Sequence, residues 1–163
     1  MTMTRRHETA ISLPPPPDLS DVIRLLTTLP ESVGLQLPCG VWWDIVVTRG
    51  TSTGQDLIWW MRRNQPGGCG AVVVDDDHGL LLWLVPAIGS RGWLHPGGVW
   101  VSRPVEIVLP SLRRIGGPGP YWATSLAFGQ LTDPRFLRAG LDHLGMTDPP
   151  DTGKALPELP QGD

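Results

Sequence analysis

Read for its hydrophobic and polar positions, the chain divides into short apolar runs separated by turn-forming clusters. Leu19, Val22, Ile23, Leu25, Leu26 and Leu29 recur at helical spacing, Asp18-Leu19-Ser20-Asp21 supplies N-cap chemistry, and Pro30 closes the segment. A helix over about 18–29 follows. Val41–Thr48 is β-branched and aromatic, the composition of a strand. Thr53–Asn64 returns to helical spacing through Leu57, Ile58, Trp60 and Met61, and Pro66-Gly67-Gly68 ends it. Cys69–Val74 and Leu80–Val85 are continuous apolar runs on either side of Asp75-Asp76-Asp77-His78-Gly79. Their lack of alternation predicts strands covered on both faces, and the polar turn predicts a hairpin.

Gly97–Ser102, Val105–Leu109 and Tyr121–Leu126 read as further strands. A last helix runs from Pro134 to about Leu144, with Asp133 as N-cap, Pro134 at the first position and Gly145 as C-terminal cap. The order α-β-α-β-β-β-β-β-α predicts an α+β fold, a mostly antiparallel sheet with flanking helices in a single domain over 18–146. Residues 1–17 end in Leu13-Pro14-Pro15-Pro16-Pro17 and read as a flexible, Pro-rich N-terminus. Residues 147–163 are rich in Pro, Asp and Gly and read as a disordered acidic tail.

Composition adjusts this picture in a few places. The 163 residues suit one domain, and 20 Gly with 18 Pro imply many turns and irregular connections. Eight Trp carry much apolar area, and each buried indole N–H needs an acceptor. The formal charge is −3, while the middle of the chain is near neutral. That balance argues against strong non-specific DNA binding and leaves room for a local basic patch. Cys39 and Cys69 stand alone, so free thiols are expected rather than a zinc site. No apolar run approaches the ~18 residues of a spanning helix, which makes a cytoplasmic protein without a membrane partner the expectation.

Three segments carry possible chemistry. Asp75 and Asp77, spaced i and i+2 after Val72-Val73-Val74, could share a face at a strand end and hold a divalent cation. The same residues suit a solvated hairpin tip. Gly116-Gly117-Pro118-Gly119-Pro120, preceded by Arg113 and Arg114, offers backbone N–H groups and charge for an anion, and equally makes an ordinary loop with solvated arginines. Trp59-Trp60-Met61-Arg62-Arg63 could stack on bases beside phosphate-binding arginines, or form a helix with one buried and one surface-lying Trp. His95, before Pro96-Gly97-Gly98, has no visible partner.

The stretch Val105–Trp122, V-E-I-V-L-P-S-L-R-R-I-G-G-P-G-P-Y-W, resembles the closing segment of the bifunctional DNA primase/polymerase (prim-pol) domain of the archaeo-eukaryotic primase superfamily. Both show a strand ending in Pro-Ser, a Gly loop and an aromatic strand start. Asp75-x-Asp77 resembles the hydrophobic-Asp-x-Asp metal motif of that superfamily, and Gly79–Pro86 its strand-to-Pro segment, with Trp83 in the aromatic place. Trp43-Asp44-Ile45-Val46 and Leu131-Thr132-Asp133-Pro134 are similar to segments of small actinobacterial relatives of the domain. The resemblance covers Cys69 to Trp122. It implies nucleotide or nucleic-acid contacts at Ser111, Arg113, Arg114, Gly116, Gly117 and Tyr121. For a working enzyme it also implies Mg²⁺ or Mn²⁺ on Asp75 and Asp77.

The chain departs from the family at four points, the first being that Tyr121 and Trp122 are adjacent where the family has Tyr-x-Trp. Leu80 stands where the family has a His that contacts the incoming nucleotide. Gly98–Arg103 lacks the expected third acid. The acidic pair directly precedes the strand that the family reaches after a long insert. The expectation is therefore a catalytically degenerate prim-pol-like protein with a nucleotide or nucleic-acid binding role. The alternatives are a metal-dependent primase/polymerase-type nucleotidyltransferase, and a regulatory module that meets a protein partner through the Pro-rich N-terminus and exposed Trp side chains.

Overall fold

The computed structural model describes residues 9–12, 18–90 and 92–152. In chain order the elements are β1 (Thr9–Ser12), α1 (Leu19–Thr28), β2 (Val33–Pro38), β3 (Asp44–Arg49), α2 (Ser52–Asn64), β4 (Val72–Asp75), β5 (Leu80–Val85), β6 (Gly98–Val101), β7 (Glu106–Pro110), β8 (Tyr121–Thr124) and α3 (Pro134–His143). A short 3-10 turn, Leu126–Phe128, follows β8. Five strands pair in the order β6-β3-β5-β4-β8, every pair antiparallel. A second sheet has the order β1-β2-β7, with β1 parallel and β7 antiparallel to β2.

The apolar runs of β4 and β5 explain the layering. Every residue of both strands is buried, and successive side chains point to opposite faces. Ile45, Val47, Val73, Leu80, Leu82 and Leu84 face one way and pack with Leu35, Leu37, Ile107 and Leu109 of the smaller sheet and with Val22 and Leu26 of α1. Val46, Val72, Val74, Leu81, Trp83 and Val85 face the other way and pack with Leu57, Ile58 and Met61 of α2 and Leu137 and Leu141 of α3. The five-stranded sheet is thus the middle of three layers.

The α+β class and the mostly antiparallel pairing agree with the sequence-based expectation, as do the hairpin and the three helices. The caps agree too: Asp18 accepts from Asp21 N–H at 2.9 Å, and Asp133 from Arg135 N–H at 2.9 Å. Four expectations need correction. The strands form two sheets rather than one. Val33–Pro38, which has Gly34 inside it and Pro at its end, is a strand that closes a β1-α1-β2 unit. Residues 9–12 belong to that unit rather than to a flexible N-terminus. Residues 147–152 stay docked at their start, where Pro149 C=O accepts from Arg49 Nε at 3.2 Å and Pro150 is buried. The polyproline stretch 13–17 and the tail from 153 onward lie outside the described residues. Among the described residues, no helix is long and apolar enough to cross a membrane.

Where the helical layer joins the sheet, the backbone of 130–132 runs close beside 70–71. Ala71 N–H donates to Gln130 C=O at 3.0 Å, and Thr132 N–H to Leu84 C=O at 2.7 Å. A Cβ on Gly70 would press into the main chain of Leu131 and Thr132, which has no flexible end to give way. Gly70→Ala should cost about 1–3 kcal/mol through overpacking and lower the thermal midpoint by several degrees. An unchanged midpoint in a thermal melt would contradict this close approach.

Candidate functional site

The ten residues Ser111–Pro120 form a strap that carries the chain from β7 in the smaller sheet to β8 in the larger one. Its first half closes the C-terminal end of α1, whose last carbonyls have no intrahelical partner. Ser111 is fully buried; its hydroxyl donates to Leu29 C=O at 2.7 Å and accepts from Arg113 N–H at 3.2 Å. Leu112 N–H donates to Leu26 C=O at 3.0 Å, and exposed Arg113 donates through Nε to Thr27 C=O at 3.2 Å. A cation at this pole of the helix also complements its dipole. Ser111 and Arg113, expected as ligand contacts, therefore both have a structural duty.

The second half of the strap bends back on itself. Arg114 donates through Nη2 to Pro118 C=O, and its own carbonyl accepts from Trp122 N–H at 3.0 Å. Trp122 is buried, with its indole N–H on Pro110 C=O at 2.9 Å. Around Gly116 a Cβ would meet open space, whereas one at Gly117 would touch a carboxylate oxygen of Asp76. Tyr121 is half-buried, and burial followed by the charge of Asp76 pushes its phenol above the ordinary value.

Asp76 is there because β4 pairs with β8, Val74 opposite Tyr121. That pairing brings the acidic turn and the Gly loop, far apart in sequence, to one edge of the middle sheet. The two proposed metal carboxylates do not share a face in use. Asp75 is buried and its Oδ2 accepts from His78 Nδ1 at 2.8 Å, while Asp77 is exposed on the turn. Asp75 Oδ1 is buried without a hydrogen-bond partner among the described residues. Leu80, opposite Asp75 across the hairpin, is buried between the sheets. Among the described residues no group of three or more His, Cys, Asp or Glu could hold a metal ion.

The most completely satisfied polar group was not among the sequence candidates. Asp44, fully buried at the start of β3, accepts from Ser102 Oγ at 2.7 Å, Gly89 N–H at 2.9 Å and Trp100 Nε1 at 3.0 Å. It lies on the helix-facing side, where Trp100 is opposite Val46 and its ring lies 5.8 Å from that of Trp93. His95, without a visible partner in the sequence, has two. Its Nδ1 accepts from Gly97 N–H at 3.0 Å, so the proton sits on Nε2, which donates to Asp142 Oδ1 of α3 at 2.7 Å. The only sequence signal for Asp44 was its place in Trp43-Asp44-Ile45-Val46; none marked Asp142.

Both cysteines are free, as expected, and both are buried. Burial, followed by the charge of Asp44, pushes the Cys39 thiol up to about 12, so it is no nucleophile. In α2, Trp59 is exposed with Arg62 stacked 5.2 Å from its ring centroid, and Trp60 is half-buried. Compared with known proteins, the chain matches no family model, no curated protein and no solved structure.

Asp44→Ala would leave three donors at the end of the middle sheet without an acceptor. The three donors are only partly buried, so each one left unsatisfied costs towards the lower end of about 1–3 kcal/mol, and the variant should lose about 2–4 kcal/mol in a urea titration. A loss under about 0.5 kcal/mol, the size of an ordinary surface substitution, would show that Asp44 does not hold this corner.

Proposed function

We propose that this chain is a prim-pol-like protein that has lost nucleotidyl transfer and keeps a nucleotide or nucleic-acid contact surface on the strap between β7 and β8. The observation that supports the kinship is the β4–β8 pairing. It gathers onto one edge the Asp75–His78 turn and the Gly116–Tyr121 loop, the two segments on which the resemblance depends. A chance likeness of two loops does not require them to meet.

The same edge supports the loss of catalysis, through what its side chains do instead. Asp75 engages His78, Ser111 holds the end of α1, and apolar Leu80 fills the position of a nucleotide-binding His. A two-metal phosphoryl transfer needs carboxylates turned towards a common point, whereas Asp75 is turned into the fold and Asp77 out to solvent. What the strap retains is exposed Arg113, with open space around Gly116. Arg113 presents a guanidinium to solvent next to a loop whose amides can receive phosphate oxygens.

Labelled nucleotides and labelled single-stranded DNA, titrated with and without Mn²⁺, test the proposal. Binding should weaken with salt, fall several-fold in Arg113→Ala and be indifferent to Mn²⁺. Equal binding by wild type and Arg113→Ala would sink the contact surface. Templated nucleotide incorporation that requires Mn²⁺ and disappears in Asp75→Asn would overturn the loss of catalysis.

A further inference from the structure

We propose that the open groove between α2 and the end of α3 is a second ligand site, which takes one free nucleotide. The groove has a volume of about 630 Å³ and is lined by Asp56, Trp59, Trp60, Arg63, Asn64 and His143, among others. The reading rests on this groove alone and does not need the strap to bind anything.

The groove exists because of how α2 divides its faces. Gly54, Leu57, Ile58 and Met61 are the buried positions, and they already cover the sheet. Asp56, Trp59, Trp60, Arg63 and Asn64 follow i, i+3, i+4, i+7 and i+8, one stripe along the helix. α3 packs tightly on this helix at Gly140, where a Cβ would press into the Trp60 ring and Leu57. Trp60 is thereby held as the inner wall, with the His143 ring 6.0 Å away and tilted by 33°. Trp59, one residue earlier, turns outward and is 58% exposed. Packing does not use it. Arg62 lies over its ring, which fixes the indole and adds positive charge beside it.

The stripe has chemical order. Asp56 lies at one end and Arg63 at the other, roughly 10 Å apart along the axis at 1.5 Å per residue. A planar base can stack on Trp59 with its amine donating to the Asp56 carboxylate on the far side, and the sugar then carries the phosphate towards the Arg63 guanidinium. Those are the parts of a nucleoside monophosphate in sequence. A polynucleotide fits the order worse, because its backbone would bring a phosphate to Asp56 as well as to Arg63. The chain's net charge of −3 opposes it further.

Calorimetric titration of the full chain with AMP tests the site. Trp59→Ala and Arg63→Ala should each weaken binding about tenfold, while Trp59→Phe, which keeps a stacking face, should stay within about threefold. Adenosine, lacking the phosphate, should bind wild type about as weakly as AMP binds Arg63→Ala. AMP binding that remains in Arg113→Ala should still fall about tenfold when Trp59→Ala is added, which separates the groove from the strap. Trp59 and Arg63 are exposed, so the variants should keep the wild-type circular dichroism, which is to be checked. Four results overturn the proposal: no AMP binding up to about 10 mM, unaltered affinity in folded Trp59→Ala, equal losses in Trp59→Ala and Trp59→Phe, or tighter binding of a short oligothymidylate than of AMP.

Discussion

A sheet that is apolar on both faces cannot be covered from one side, and most of this structure follows from that constraint. Every residue of β4 and β5 is buried, on both faces. Each fully buried Val or Leu side chain gains about 1.5–3 kcal/mol over exposure, so leaving one face bare would forfeit several such gains at once. The chain meets the demand with unlike covers: two helices on one face, and a small sheet with α1 on the other. Because β7 is in the outer sheet and β8 in the middle one, the chain must cross between layers, and the strap is that crossing. Its Pro-Ser, its arginines and its glycines are tied to this architectural task before any ligand is considered. Ser111 satisfies the Leu29 C=O, which the crossing half-buries at the end of α1, and Arg113 satisfies that of Thr27 on the exposed side.

Polar groups in such a layered core must act as fasteners or not be there. Asp44 has no cationic neighbour among its hydrogen-bond partners, and three neutral donors converge on it. Full satisfaction of a buried carboxylate is what keeps it tolerable, and it ties loop residue Gly89 and strand β6 to the end of β3. The next residues of that loop continue the link. Trp93 donates to Gly98 C=O at 2.9 Å, and His95 reaches across to Asp142 in α3. The long connection from β5 to β6 is thus sewn to the sheet at one end and to the helical layer at the other.

The fold was legible in the sequence wherever one local pattern decided the outcome. Helical spacing with Asp18 and Asp133 caps, and uninterrupted Val/Leu runs around a polar turn, each translate directly into structure. β1 and β2 were not legible. β2 alternates only weakly, carries Gly34 and Pro38, and is a strand mainly because β7 pairs with it, and pairing depends on residues about seventy positions away. The division into two sheets was hidden for the same reason, since periodicity reports burial but not which neighbour provides it. At the candidate site, residue types pointed to the right segments and said little about their use. Asp75 next to His78 and Ser111 next to α1 read as chemistry until the fold supplies partners for them. His95 failed in the opposite direction, because its partner comes from a helix 47 residues on.

The strap and the α2–α3 groove differ in a way that bears on how binding at each can be separated from folding. At the strap, every polar side chain that would meet a ligand also closes a helix end or a loop, so a change there alters packing and contact together. α2 is different because its buried stripe is complete without Trp59 and Arg63. A large indole held outward costs solvent-exposed apolar area and gains nothing from the core. Its neighbours extend the oddity into an ordered series, acid, aromatic pair, base, along a helix whose stability would tolerate almost any polar residue at those positions. A residue explained by packing needs no ligand, and Ser111 is of that kind. Trp59 is not, and its exposure beside Arg62 and Arg63 is the feature of this surface that the fold itself leaves without a reason.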